Sequence, residues 1–560
     1  KAFESGTQTP PTLAENPFTS VTLNTVALAV PTGAKALYEA AEVWKEFNPI
    51  QEKGDAVASF STSIPQGSEI YVGVKSSEKF AIKFGDDVKV EYEPGDYSAI
   101  GKRIKGIVKG EKIELCGNAD AMSSINLAQQ HISKLNVNNL RNLISLILSE
   151  NELETIDVSP FKYLQKLHVD HNSLQAIDLT ANEQLQEARL SYNSIKTVNL
   201  PEKSELEKLV ITKNPISTIT LKNLTKLTAF EADSCQFESI DISANNLLEE
   251  IDMDANSLTQ VVFNNHPELW WVYLGGNNIA EIDVTNLPKL SNLNLANNRL
   301  TTINVEQNKS LRELYLSGNS TGNVNLSENK EMMRLYVNNC NMTLLDLAPF
   351  TRLSTLEAKG NELEKVDLSK CTRLKNLLVS GNKLKAINLT TNGVLERLEA
   401  DNNLLTSVTL GTSKKFVKCL LNNNDLSTET IDEIFSKLPD ISNIALNPDI
   451  KQHKTITVYA NPGSENCNTS LAINKGWIVD SELPSAISTA TLAAFSVKVE
   501  GEQLVIAGVK EGEHYALHDM SGRSLASGST TAACTGVDIS GIPHGIYVIT
   551  VNGKSLKIKI

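Results

Sequence analysis

From Asn151 to Asn424 the chain repeats one arrangement of apolar and polar positions every 21 residues. Apolar residues stand five and three places before a fixed polar site and two, five and seven places after it, as in Leu293, Leu295, Asn298, Leu300, Ile303 and Val305. The fixed site is Asn151, Asn172, Asn193, Asn214, Cys235, Asn256, Asn277, Asn298, Asn319, Cys340, Asn361, Asn382, Asn403 and Asn424, fourteen positions in register. The alternation before the site predicts a short strand with one buried face. The asparagine turns inward, where its amide can satisfy backbone groups of the adjacent coil, and a small uncharged thiol fits the same turn. One copy cannot bury its apolar face, so copies must stack, and a one-residue insertion would turn core side chains to solvent. A long amphipathic helix is excluded because the period is far from 3.6 residues.

This pattern resembles the leucine-rich repeat, L-x-x-L-x-L-x-x-N/C-x-L, in which cysteine is allowed at the asparagine site. The resemblance implies a solenoid over residues 124–429, with a parallel β-sheet on the concave face and a mostly extended convex side. The first coil is degenerate, with Gln130 at the asparagine site and Leu135 and Val137 following. The repeats are similar to those of internalin-like bacterial surface proteins, in which a capped solenoid binds a host or neighbouring-cell protein. The period of 21 departs from the 22 usual in internalins. No internalin contact residue therefore transfers.

The flanks break the beat. Residues 1–53 hold a polar, Pro-containing segment and then Tyr38, Ala41, Trp44 and Phe47, whose spacing predicts a helix over 34–47. Val30-Pro31-Thr32-Gly33 followed by these residues resembles the closing segment of BspA-like surface leucine-rich repeat proteins. Residues 54–123 change to alternation (Glu69 to Val74, Phe80 to Phe84, Val88 to Tyr92, Ile113 to Leu115), which predicts a small β domain or N-terminal cap. After Asn424 an amphipathic segment, Thr430 to Leu438, and a strand-like Thr455 to Tyr459 read as a C-terminal cap over 430–484. Ser485 to Ala494 reads as a linker.

Residues 495–560 read as a compact antiparallel β-sandwich. Asp519-Met520-Ser521-Gly522-Arg523, Asp538-Ile539-Ser540, Gly545-Ile546-Tyr547 and the terminal Lys557-Ile558-Lys559-Ile560 resemble the C-terminal sorting domain of type IX secretion cargo in Bacteroidetes. That resemblance implies passage through the type IX machinery and an extracellular or outer-membrane-surface location.

Composition narrows the functional classes. The net charge of -14, with no basic cluster to offset it, excludes phosphate-backbone binding, so no nucleic-acid partner is expected. No apolar stretch approaches the ~20 residues of a transmembrane helix. The seven cysteines lack metal-ligand spacing, and Cys235 and Cys340 lie about 24 Å apart at roughly 4.8 Å per strand, beyond disulfide reach. Phosphate-loop, zinc-protease and nucleophile-elbow motifs are missing, so no enzyme, cofactor or metal is expected. His168 and His171 read as a solvated pair. The recurring Asp157, Asp178, Asp241, Asp283, Asp346 and Asp367, six places after the ladder site, read as backbone caps and not as calcium ligands.

The remaining candidate is a binding face. Residues four and two before the asparagine project from the concave sheet, so equal offsets in successive coils stand side by side. Two clusters emerge: an acidic one of Glu231, Asp233, Glu250, Asp252 and Asp254, and an aromatic one of Trp271, Tyr273, Tyr315 and Tyr336 with Asn294 intervening. Exposed aromatics favour protein binding and acidic rims steer basic partners. The expectation is a secreted or surface protein binding a host or bacterial protein in adhesion or biofilm, with glycan or nutrient capture as the alternative.

Overall fold

The computed structural model describes residues 3–13, 16–26, 28–31, 34–48, 50–52, 56–442, 454–481, 496–500, 503–507, 509–519, 524–531, 534–540, 542, 546–551 and 554–559. The chain divides into two compact units, Lys1–Lys418 and Cys419–Ile560.

In the first unit the 21-residue beat becomes sheet register. Leu146 lies opposite Leu167, then Ala188, Leu209, Phe230, Ile251, Val272, Leu293, Leu314, Leu335, Leu356, Leu377 and Leu398, always through parallel pairing. From Ser145–Ile147 onward each of these strands is three residues long, with its central side chain buried between two that face outward, as in Glu250–Asp252, Trp271–Tyr273 and Glu313–Tyr315. The architecture is a leucine-rich repeat β-solenoid of about 16 turns.

The asparagine ladder performs the role its position predicts. Asn298 Nδ2 donates to Leu274 O at 2.8 Å and Leu295 O at 3.1 Å, and its Oδ1 accepts from Ile279 N at 3.0 Å. Cys235 and Cys340 keep one of these contacts, from Sγ to Ile211 O and Leu316 O at 3.4 and 3.3 Å. The residue before each ladder site is left-handed from Glu150 (φ 57°) to Asn423 (φ 56°), which accounts for glycine at Gly276 and Gly381. On the convex side, Asp157, Asp178, Asp241, Asp283, Asp346 and Asp367 each accept the N–H two residues on, at 2.9 to 3.0 Å. They cap turns, as their spacing implies.

A second ladder was not anticipated. Ten residues after the ladder site, fully buried Asn182, Asn245, Asn308, Asn329 and Asn392 donate to carbonyls of the preceding coil, for example Asn308 Nδ2 to Val284 O at 2.8 Å and Leu287 O at 3.0 Å. His266, Cys371 and Ser413 stand at the same offset and bond to Ile242 O, Leu347 O and Leu395 O.

The edge preceding the solenoid is closed by pairing. Glu69–Ser76 runs antiparallel to the first solenoid strand, Met122–Asn126, with Val74 opposite Ile125. Such pairing removes an open row of N–H and C=O groups. Gln130, at the degenerate ladder site, accepts from Tyr71 N at 2.7 Å and donates to Ala128 O at 2.8 Å. Ahead of this, Phe3–Glu4, Leu28–Val30 and Ile50–Glu52 form a small parallel sheet over Leu23, Tyr38, Trp44 and Phe47. The helix expected over 34–47 is shorter: it spans Lys35–Ala40 and gives way to an extended Ala41 and a left-handed Val43 (φ 68°) before a 3-10 turn at Trp44–Glu46. The turn lets Trp44 and Phe47 stack at 6.0 Å while Phe18 packs edge-on to both.

In the second unit, helix Thr428–Lys437 is capped by Ser427, whose Oγ accepts from Thr430 N, and buries Ile431, Ile434 and Phe435. Asn461 continues the ladder chemistry, donating to Leu421 O at 2.9 Å and Val458 O at 2.7 Å and accepting from Leu426 N at 3.1 Å. Its signal, Ile456-x-Val458-x-x-Asn461, was legible but fell off the 21-residue beat. Residues 496–559 form a three-stranded and a four-stranded antiparallel sheet around Leu504, Ile506, Leu517, Val537, Tyr547 and Ile549. Ser485 to Ala494, expected as a linker, and, within the C-terminal motifs, Met520, Ser521, Gly522, Arg523, Gly545 and Ile560 lie outside the described residues, as do Thr32 and Gly33 of the N-terminal motif.

Candidate binding face

Eight of the ten candidate residues fall on six adjacent strands, from Ala229–Glu231 to Arg334–Tyr336, Asp233 and Asp254 follow two residues after two of them, and all ten are half-buried. Their columns follow the register: Glu231, Asp252, Tyr273, Asn294, Tyr315 and Tyr336 are successive Cα partners.

The aromatic residues form a continuous run. Trp271 and Tyr273 lie 4.9 Å apart, Tyr273 meets Tyr315 edge-on at 6.2 Å, and Tyr315 stacks on Tyr336 at 4.5 Å with 6° between planes. Tyr273 and Tyr315 reach across the intervening strand because Asn294 is small and turned aside. Its Nδ2 donates to Asp254 at 2.8 Å and its Oδ1 accepts from Ala296 N at 3.1 Å. Asn294 thus positions its neighbours instead of offering a free amide. The sequence reading missed Trp270, edge-on to Trp271 at 5.4 Å, and Glu313, which accepts from the Tyr315 hydroxyl at 2.8 Å. Glu313 stands six before its asparagine, the offset that Trp271 already marked.

Beside the rings lies the acidic pair. Asp254 accepts from Gly275 N at 2.6 Å and from Asn294, and Asp252 accepts from Asp254 N at 3.1 Å. Burial pushes the Asp252 carboxyl up to about 7, with Asp254, Asp233 and Glu231 repelling its charge against the stabilising Asp254 N–H. Burial likewise pushes Asp254 up to about 6, and Asp233 adds to the repulsion while the Gly275 and Asn294 bonds oppose it. Among the described residues no lysine, arginine or histidine pairs with Asp252, Asp254, Asp233 or Glu250, whereas Glu231 is held by Lys208.

Two other carboxylates on the same face are treated differently. Glu187 lies 3.1 Å from Lys166 and 2.6 Å from Arg189; burial works against its charge, but the cations prevail and lower it to about 2. Glu399, buried, meets Lys359 at 2.6 Å, Arg397 Nε at 2.7 Å and Lys418 at 3.1 Å, and it too falls to about 2 against the cost of burial. Reading the charges of adjacent columns together would have found this cage, since Lys359, Arg397 and Lys418 all occupy outward offsets.

His168 and His171 do not converge. His168 Nε2 lies 3.2 Å from Glu187 and burial lowers its pKa, whereas His171 stacks on Tyr192 at 4.1 Å. Among the described residues no group of three or more His, Cys, Asp or Glu side chains is placed to hold a metal ion, and no helix is long and apolar enough to cross a membrane.

No family model and no curated protein matches the chain. Solved structures do. A leucine-rich repeat protein of Leptospira interrogans is 22% identical, with 65% of this chain and 96% of that chain covered and a TM-score of 0.54. The functional domain of InlJ from Listeria monocytogenes, described as including a cysteine ladder, is 17% identical over 81% of this chain and 93% of that chain, with a TM-score of 0.47. YopM from Yersinia enterocolitica is 19% identical over 60% and 78%, also with a TM-score of 0.47.

Proposed function

We propose that this chain is a secreted or cell-surface leucine-rich repeat protein that binds a host or bacterial protein through the face built by Glu231, Asp233, Glu250, Asp252, Asp254, Trp271, Tyr273, Asn294, Tyr315 and Tyr336. The observation that carries this reading is the aromatic run on the outward side of the sheet beside two aspartates without a cation. Half-buried aromatic rings supply contact area at small entropic cost, because their neighbours already fix them. The sheet itself is rigid, so a partner need not order it. Host attachment or biofilm formation would follow from surface display. Export fits the resemblance of residues 495–560 to type IX sorting domains, and the N-terminal resemblance to BspA-like proteins points to the same compartment.

Glycan or nutrient capture is the second reading. The parallel Tyr315 and Tyr336 rings favour it, since flat aromatic faces also accept sugar rings. A host-protein pull-down beside a glycan array separates the two. Trp271→Ala with Tyr273→Ala should abolish capture in whichever assay is positive and leave the thermal midpoint within a few degrees, because neither side chain fills the core. Retained capture in this variant would move the site elsewhere.

A further inference from the structure

We propose that the aromatic run receives a protein segment presenting a lysine or arginine, whose stem lies over Tyr273 and whose cation meets Asp252; this specifies the sheet-face reading above and rests on it.

The contrast within the face supports the assignment. Glu187 and Glu399 are each neutralised by cations of the chain itself, and Glu231 by Lys208. Asp252 and Asp254 are half-buried on the same face yet have only backbone N–H and amide partners. Asp252 is faced by Glu231 and Asp233 from the preceding coil, by Asp254 and Glu250 on its own, and by Tyr273 with Asn294 beyond it from the following ones. On the coil before Glu231 and Asp233, Lys208 is engaged by Glu231 and Lys213 lies over the Tyr192 ring at 4.8 Å. A charge deficit of this kind is complementary to a cationic side chain, and the ring of Tyr273, the Cα partner of Asp252, lies where a cation–π contact would add to it.

A consequence is proton coupling. Burial and like charge hold Asp252 and Asp254 partly protonated near neutrality, and an incoming cation favours their ionised forms. Binding therefore releases protons and strengthens as pH rises from 5 to 8.

The test measures the affinity of a fluorescent deca-lysine peptide for the full chain from pH 5 to 8 at fixed ionic strength. At least a tenfold weakening at pH 5 is expected. Asp252→Asn with Asp254→Asn, which keeps side-chain size and one acceptor oxygen on each residue, should weaken binding at least tenfold at pH 8 and flatten the pH profile. Asp157→Asn with Asp178→Asn removes the same charge from the convex side and should bind like the unaltered protein. A flat profile in the unaltered protein, or equal losses in the two asparagine variants, overturns the assignment to these aspartates. If the Asp252 and Asp254 variant keeps full peptide affinity while Trp271→Ala with Tyr273→Ala still loses partner capture, the charge assignment falls and the sheet-face reading stands. If the aromatic variant keeps partner capture, both fall.

Discussion

Asn277 shows why one side chain can set the length of a repeat. Its amide donates to Met253 O at 2.9 Å and Leu274 O at 3.0 Å, and its carbonyl accepts from Leu258 N at 2.9 Å, all of them buried. Removing the amide strands the Leu258 N–H away from water and takes one of two donors from Met253 O and from Leu274 O, which keep Asn256 and Asn298, each lost bond costing on the order of 1 kcal/mol. Asn277→Ala should therefore lose about 2 to 4 kcal/mol. Asn277→Cys should lose about half of that, because a thiol keeps a carbonyl contact as Cys235 does at 3.4 Å. Thermal unfolding ranks the two variants, and amide exchange at Leu258 locates the damage; equal losses would show that the thiol is a filler only. This ladder was legible because no position in it is skipped. The second ladder was not, since Phe161, Lys203, Leu224, Leu287 and Phe350 interrupt its offset, and the amides there are interspersed with apolar residues and, at Lys203, an exposed cation. Periodicity finds a residue type only when every coil needs it.

At the scale of the strand, the same outward offset carries carboxylates of opposite acid behaviour. Asp252 is raised to about 7, so between about pH 4 and 7 its unfolded form is ionised while its folded form keeps the proton. Its contribution to stability is therefore fully present below pH 4 and is lost as pH rises through 7. Glu399, lowered to about 2, contributes stability that is present above about 4.5 and is lost as pH falls through 2. Asp252→Asn should raise the thermal midpoint at pH 8 by a few degrees, about 1 to 2 kcal/mol after solvent screening, and leave it nearly unchanged at pH 4. A midpoint that does not move at pH 8 would mean that the Asp252 charge is not confined. The columns that place these residues followed from period alone. Their charge states did not, because each depends on what stands one coil away and on how deep the strand lies. The N-terminal helix failed for a related reason: Tyr38, Trp44 and Phe47 share one core, but a turn at Val43 brings them there as well as a continuous helix could.

For the molecule as a whole, the question is which parts can be removed. The sandwich over 496–559 buries Leu504, Ile506, Val509, Leu517, Val537, Ile539, Tyr547, Ile549, Val551 and Ile558 in one cluster, every member of which lies within that segment. The solenoid core is likewise drawn from its own coils, with Leu293, Leu314 and Leu335 in direct register. A segment that carries its whole core can be deleted without opening another, which is the physical content of a domain boundary. The motifs that suggested a sorting address are legible in the sequence as short runs, whereas their chemistry is not, because an address is read by other machinery and leaves no local signature in packing. Deleting residues 495–560 should therefore leave the remaining protein with an unchanged thermal midpoint and unchanged partner capture, yet trap it in the periplasm of its native host. Fractionation with protease shaving of whole cells separates the outcomes. Surface display of the truncated chain would remove the sorting role; aggregation or a lowered midpoint would remove the boundary; loss of capture by a folded, truncated chain would place part of the binding face in the sandwich instead of on the sheet.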